Sequence, residues 1–238
     1  MKLHLLGING PFPDRNGFTS GYLLKAGEHL LQFDLGSGVL SLLTALTAPE
    51  SISAVLFSHW HYDHSADLPV LMYRLQALGR RLPVFGPKDP SSPVYQLAVS
   101  ESCFSFTEVS AGYRFEIGGI SVSAVSARHP VPAVGYRVFC DGKTFGYTGD
   151  TNILPSHADQ YRGCDLLLAD GMFPSSLWSE EKPHLSAELA ARLASDSAVR
   201  ELIITHLNPF IPRQRLLDEA RAVFPSVRLA EAGCSIIL

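Results

Sequence analysis

Short apolar runs broken by Gly, Pro, Asp and Asn set the pattern of this 238-residue chain. Residues 2–6 read as a first strand, and 7–17 as a Gly/Pro-rich loop. Apolar runs at 20–25 and 29–34, separated by Gly27-Glu28, predict a hairpin. Asp34-Leu35-Gly36-Ser37-Gly38 then turns the chain into a helix whose apolar face is Val39, Leu42, Leu43 and Leu46. Ala54-Val55-Leu56-Phe57 reads as a short buried strand. Leu68, Leu71, Met72, Leu75 and Leu78 give the helix after it an apolar stripe. Pro83-Val84-Phe85 makes another short strand. The rest of 83–100 is expected to be irregular around Pro87, Pro90 and Pro93.

The second half repeats the plan. Strand-like runs lie at 102–109, 113–117, 120–127, 134–140 and 143–148, with hairpin turns at Gly118-Gly119 and Asp141-Gly142. A short helix is expected over 155–161, a strand at 165–169, and a helix carrying Leu185, Leu189 and Leu193. A strand at 201–205 precedes a helix with Leu216, Leu217, Ala220 and Phe224, and strands at 227–230 and 235–238 close the chain. Each half is thus a set of antiparallel strands followed by βα units. Two such sheets facing each other, with helices outside, satisfy the layer rules for one core. Nothing in the sequence marks a linker, so 1–238 is read as a single domain.

Composition narrows the classes. The chain is 46% hydrophobic and 18% charged, enough apolar content for a substantial core. Its net charge of −4 argues against a broad nucleic-acid surface, which shows a basic face. A local basic patch at Arg74, Arg80 and Arg81 stays compatible with that balance. The N-terminus is too short and too quickly broken by polar residues for a secretory signal, and no apolar run is long enough to span a membrane. A cytoplasmic protein without membrane contact is expected, and a homodimer is compatible with these features. Cys103, Cys140, Cys164 and Cys234 are scattered and are expected to be free, buried thiols.

One stretch carries chemistry. His59, His61, Asp63 and His64 fall within six positions directly after the 54–57 strand. Two residues apart on an extended backbone, His59 and His61 point the same way. Three imidazoles and a carboxylate crowded together repel when protonated and bury poorly when neutral; a divalent cation removes both problems. Such ligands suit zinc, with iron or manganese as substitutes. Further candidates follow at or just after apolar runs: His129, Asp150 in Tyr147-Thr148-Gly149-Asp150-Thr151, and His206 in Ile203-Ile204-Thr205-His206. Ser58, Thr148, Thr205 and Asp34 are candidates to orient the imidazoles; for Asp34 the reading as a plain turn residue is equally open, and for Ser58 and Thr205 the reading as strand-end hydroxyls bonding to backbone is preferred.

His59-x-His61-x-Asp63-His64 resembles the HxHxDH signature of the metallo-β-lactamase superfamily. The resemblance covers almost the whole chain. It implies an α/β fold, the αββα four-layer sandwich of two mixed sheets with outer helices, and metals at one edge between the sheets. It also implies a sorting of ligands: His59, His61 and His129 on one ion, Asp63, His64 and His206 on the other, Asp150 between them, and an attacking hydroxide held by two Zn2+ (or Mn2+ or Fe2+).

Within the superfamily, the segments from His129 to Tyr136, Tyr147 to Thr151 and Pro183-His184-Leu185-Ser186 look like the ribonuclease Z branch. The resemblance implies that His184 assists cleavage of a phosphodiester. Ribonuclease Z carries a His-Glu-Ala-Thr segment where this chain has Ala169-Asp170-Gly171-Met172, so Asp170 is expected to orient His184. Only twenty residues separate His129 from Asp150, too few for the tRNA-grasping arm of bacterial ribonuclease Z. The expected function is a dinuclear zinc phosphodiesterase for a small or flexible phosphodiester, such as a cyclic nucleotide or a nucleic-acid end, with His184, Asp63 and Asp170 as catalytic residues. A hydrolase of a thioester, lactone or β-lactam, and a metal-dependent binding protein without turnover, are the competing readings.

Overall fold

The structure is a computed structural model that describes residues 1–15 and 17–238; Asn16, within the stretch read from sequence as a loop, lies outside the described residues. The first sheet contains Lys2–Asn9 (β1), Phe18–Thr19 (β2), Gly21–Ala26 (β3), His29–Phe33 (β4), Ala54–Leu56 (β5), Leu82–Gly86 (β6) and Phe104–Glu108 (β7). The second contains Arg114–Ile117 (β8), Ile120–Ser126 (β9), Val134–Cys140 (β10), Lys143–Tyr147 (β11), Leu166–Asp170 (β12), Glu201–Thr205 (β13) and Arg228–Leu229 (β14). Ser235–Ile237 (β15) returns to the first sheet. The strand orders are β15-β1-β3-β4-β5-β6-β7, with β2 beside β1, and β14-β13-β12-β11-β10-β9-β8. In each sheet an antiparallel part gives way to parallel strands, β4-β5-β6-β7 and β11-β12-β13-β14. This is the αββα sandwich.

Period-two side-chain placement explains the layers. In β5, Ala54 and Leu56 belong to the core between the sheets, while Val55 packs under the helices of the first half. Tyr22 and Leu24 of β3 likewise face the second sheet, and Leu23 faces outward to Val39–Leu46 (α1) and its neighbours. Phe33 sits at the middle of the inter-sheet core, with its ring 5.5–5.9 Å from those of Phe145, Tyr136 and Tyr147. Truncating such a buried ring to Ala costs about 3–5 kcal/mol. The parallel strands β5, β12 and, after Glu201, β13 are buried on both faces, which is why they read as continuous apolar runs.

After α1, the outer helices are Tyr62–Ser65 (α2), Leu68–Ala77 (α3), Pro93–Ser100 (α4), His157–Gln160 (α5), Ala187–Asp196 (α6) and Arg213–Arg221 (α7). Three expectations need correction. The stretch expected to be irregular up to 100 contains α4: Pro93 occupies the first turn, where a missing N–H costs nothing, and Ser92 caps it by accepting from Tyr95 N–H. The strand β1 runs past Leu6 to Asn9. Leu185 is buried, yet it precedes α6, whose cap is Ser186. Of the four thiols, three are buried and Cys234 is exposed; all are free. Arg74, the first residue of the suggested basic patch, is tied to Glu50 at 2.7 Å. No helix among the described residues is long and apolar enough to cross a membrane.

Candidate metal centre

Strand ends build the site. After β5 comes the 58–64 loop; after β11, Asp150; after β12, the 171–186 loop; after β13, His206. All of these strands end at one edge of the sandwich, where parallel sheets gather their ligands. His129 reaches the same edge from the loop after β9. The structure brings the sequence-predicted ligands together in two groups, His59 with His61 and His129, and Asp63 with His64, Asp150 and His206.

Tautomers follow from the outer hydrogen bonds. The Ser58 hydroxyl donates to Asp34 Oδ2 at 2.8 Å, so its oxygen accepts from His59 Nδ1 at 3.1 Å. The Pro183 carbonyl accepts from His129 Nδ1 at 3.2 Å. Both rings therefore present Nε2 lone pairs inward. They lie 3.0 and 3.2 Å from His61 Nδ1, so three imidazole nitrogens converge on one point. In the second group, His64 Nδ1 donates to Asp34 Oδ2 at 2.8 Å, which leaves Nε2 as the inward lone pair. His64 Nε2 and His206 Nε2 are both buried without a hydrogen-bond partner. Asp150 spans the groups: Oδ2 is 3.6 Å from His59 Nε2, and Oδ1 is 3.2 Å from His64 Nε2 and 3.3 Å from His206 Nδ1. Converging lone pairs on buried nitrogens with a carboxylate between them fit two divalent cations, and an imidazole and carboxylate set suits zinc, iron or manganese.

Electrostatics point the same way. Burial pushes the His59 and His206 pKa values well below the usual imidazole range, and that of His129 down to about 4, so these rings are neutral and ready to ligate. Burial opposes a charge on His64, but Asp150, Asp63 and Asp34 around it outweigh burial and raise its pKa, so the ring is protonated when no metal competes for Nε2. Burial would raise Asp150; the surrounding His206, His64 and His184 hold it well below the ordinary carboxylate value. Asp63 is pushed up to about 6 by burial.

Asp34 is far more than a turn residue. Fully buried, it accepts from Ser58 N–H (2.7 Å), the Ser58 hydroxyl, His64 Nδ1 and the Tyr147 hydroxyl (2.5 Å). Its φ is 52°, and that of His206 is 56°. Left-handed conformations at residues other than Gly cost of order 1–3 kcal/mol and mark positions that the surrounding structure over-determines. Close approach does the rest of the positioning. A Cβ at Gly36 would stand 2.1 Å from the Asp63 carbonyl, and one at Gly10 would stand 2.0 Å from the His206 ring. Neither Thr148 nor Thr205 touches the ligand rings. Thr205 Oγ1 pairs with the Tyr22 hydroxyl at 2.8 Å, and Thr148 Oγ1 accepts from Asp170 N–H at 2.9 Å. Sequence reasoning missed Ser20, whose hydroxyl lies 3.1 Å from His206 Nδ1. It also missed Tyr147, although that residue stands three before Asp150 in the same motif.

His184 and Asp170 form a third group beside Asp150. Asp170 Oδ2 accepts from His184 Nδ1 at 2.9 Å and from Thr151 N–H at 3.2 Å, while Oδ1 accepts from Met172 N–H at 3.1 Å. This carboxylate is committed to N–H donors, so a hydrogen-bonded pair explains the group better than an ion does. Burial opposes a charge on His184, but Asp170 and Asp150 override it and raise its pKa to about 9. Its ring stacks 5.0 Å from His206 and lies 5.5 Å from His129. The ring is thus held by Asp170 and not by the N-terminus of α6, which Ser186 caps through Leu189 N–H.

A two-sheet sandwich with a paired imidazole and carboxylate edge defines a class of metal-binding αββα proteins. The family model for a beta-lactamase superfamily domain matches residues 33–207, and the chain belongs to that superfamily. It is 30% identical to the probable metallo-hydrolase YhfI of Bacillus subtilis, over 98% of each chain. The crystal structure of YhfI superposes with a TM-score of 0.93 at 29% identity, covering 99% of this chain and 98% of that one. A ribonuclease Z of Methanosarcina mazei is 25% identical over 97% of this chain and 96% of its own. The short form of human tRNase Z shares the fold, with a TM-score of 0.82 at 18% identity over 100% of this chain and 99% of that one.

Proposed function

We propose that the chain is a dinuclear zinc-dependent phosphodiesterase acting on a small or flexible phosphodiester. The observation that carries this reading is the His184–Asp170 pair, 2.9 Å apart and beside Asp150. Ions in the two ligand groups would supply Lewis acidity and an activated water at neutral pH. The chain's own residues supply the rest. Among the described residues no hydrogen bond engages His184 Nε2, so that N–H is free to meet substrate. Asp170 accepts from Nδ1 and so favours the imidazolium form. An imidazolium attracts an anionic phosphodiester and can protonate its leaving oxygen, work typically worth 10²–10⁴-fold. A neutral lactone gains less from a fixed cation at that position, which favours the diester over that reading. The likeness to a probable metallo-hydrolase and to ribonuclease Z supports hydrolysis as the reaction type. The twenty residues between His129 and Asp150 leave no room for a tRNA-grasping arm, so the substrate is a small one.

The test is a panel on the metal-loaded protein: bis-p-nitrophenyl phosphate, a thioester, a lactone and a β-lactam, with and without chelator. Chelator-sensitive turnover of the diester above the others is the expected result. Faster turnover of another bond class overturns the substrate assignment, and turnover of none assigns the protein to binding without catalysis.

A further inference from the structure

Next to the metal centre lies a pocket that the hydrolytic chemistry does not use. A cavity of about 190 Å³ opens at the outer edge of His61, between Tyr62, Val131 and the 89–93 turn. Trp60 forms a fixed wall: it is 2% exposed, its ring packs 4.6 Å from Phe57, and its Nε1 donates to the Pro87 carbonyl at 2.7 Å. Tyr62 is the opposite in character. It stands between the ligands His61 and Asp63, so its backbone is as fixed as theirs, yet its side chain is 64% exposed. A large aromatic left open to water, on a rigid support at the rim of a reaction centre, offers a stacking face.

Besides His61, Ser91 and Ser92, the polar lining holds one carboxylate. Asp89 is 6% exposed. Its Oδ1 accepts from both the N–H and the hydroxyl of Ser91. Among the described residues no hydrogen bond engages Oδ2, and that oxygen is not among the fully buried polar atoms without a partner. It is therefore an open acceptor on a cavity wall. Among the described residues no Lys or Arg lines the cavity. A negative charge with no cation beside it repels phosphate, so this is no second anion site. It suits an uncharged, flat group that presents N–H donors.

We infer that this pocket holds the amino-bearing heteroaromatic ring of a nucleotide whose phosphate lies on the metal centre, with Tyr62 as the stacking face and Asp89 as the acceptor for the ring's N–H. The inference rests on the phosphodiesterase reading and names the substrate class for it. A site built to accept from a donor discriminates strongly against an analogue that lacks it, because the buried acceptor is then left unpaired. Stacking, by contrast, adds affinity without regard to the ring's edge.

The experiment is calorimetric binding of two nucleoside monophosphates to the zinc-loaded protein: adenosine monophosphate, and purine riboside monophosphate, which differs by the missing amino group. The wild type should bind the first at least about tenfold more tightly. Asp89→Ala should reduce that preference to less than about threefold, and Tyr62→Ala should weaken both ligands by a similar factor of about ten. Metal content of both variants is checked to show that the site is intact. Equal affinity for the two nucleotides in the wild type, or a preference that survives Asp89→Ala, overturns the inference. Bis-p-nitrophenyl phosphate turnover by the same preparations separates the two proposals. Turnover with no Asp89-dependent preference sinks the pocket alone, and an Asp89-dependent preference with no turnover supports the pocket while sinking the phosphodiesterase reading.

Discussion

Replacing Asp34 by Asn is a sharp probe of how the second metal position is held. Asn tolerates the left-handed backbone found at this position, and it nearly preserves shape, so the change is confined to charge and hydrogen-bond polarity. In the native site, Oδ2 accepts from His64 Nδ1, the Ser58 hydroxyl and the Tyr147 hydroxyl. If the amide nitrogen takes that place, it must donate. His64 then accepts at Nδ1 and carries its proton at Nε2, the nitrogen that would ligate. If the amide turns the other way, its nitrogen faces the Ser58 N–H, and a buried donor is left unpaired at a cost of about 1–3 kcal/mol. Loss of a partner that orients a ligating imidazole typically weakens metal binding 10–100-fold, or about 1.4–2.8 kcal/mol at 1.4 kcal/mol per tenfold. Competition titration with a chromogenic chelator should therefore show one weakened ion in Asp34→Asn and one of near-native affinity. Tyr147→Phe removes one donor without disturbing the tautomer and should leave both ions tight. Two ions of wild-type affinity in Asp34→Asn would refute the argument that Asp34 sets the His64 tautomer.

Other outcomes follow from the same geometry. The wild type should carry about two zinc-class ions per chain by elemental analysis, with one or both lost in His61→Ala and Asp150→Ala; full occupancy in both variants would contradict the ligand assignment. Gly10→Ala should lower metal content, because its Cβ would overlap the His206 ring at 2.0 Å; unchanged content would show that the loop yields freely. His157 is buried away from the metal centre, donating from Nε2 to the Ser126 carbonyl at 2.9 Å, and burial lowers its pKa below 6.5. A depressed folded pKa means that the unfolded chain takes up the proton first, so stability is full above pH 6.5 and falls as pH drops below it. Chemical denaturation at pH 7.5 and 5.5 should show a smaller loss in His157→Gln than in the wild type, and equal losses would remove His157 from the pH response.

Much of this was legible because it is local. The spacing of His59, His61, Asp63 and His64 states which side chains share an edge, and βα alternation states that His129, Asp150 and His206 lie at strand ends. Asp170 and His184 are fourteen positions apart, but each stands at an element boundary that the apolar pattern marks. Less legible were contacts set by the packing of one sheet on the other. Asp34 lies thirty residues before His64 and more than a hundred before Tyr147, so its grip on both could not be told from a turn. Ser20 reaches His206 across the whole chain, and nothing near Ser20 in sequence announces it. The helix Pro93–Ser100 was hidden by its own prolines, which break helices in their interiors but start them at the first turn.

The central claim is that His184 supplies a proton to a leaving oxygen next to a metal pair that it does not ligate. Its most direct measurement is the leaving-group dependence of His184→Ala, with metal content determined on the same samples. The variant should keep its ions, lose roughly 10²–10⁴-fold on a diester with an alkyl or nucleoside leaving group, and lose much less on a p-nitrophenyl diester, whose phenolate departs without a proton. Equal losses on both substrates, or loss of the metals with the histidine, would contradict it.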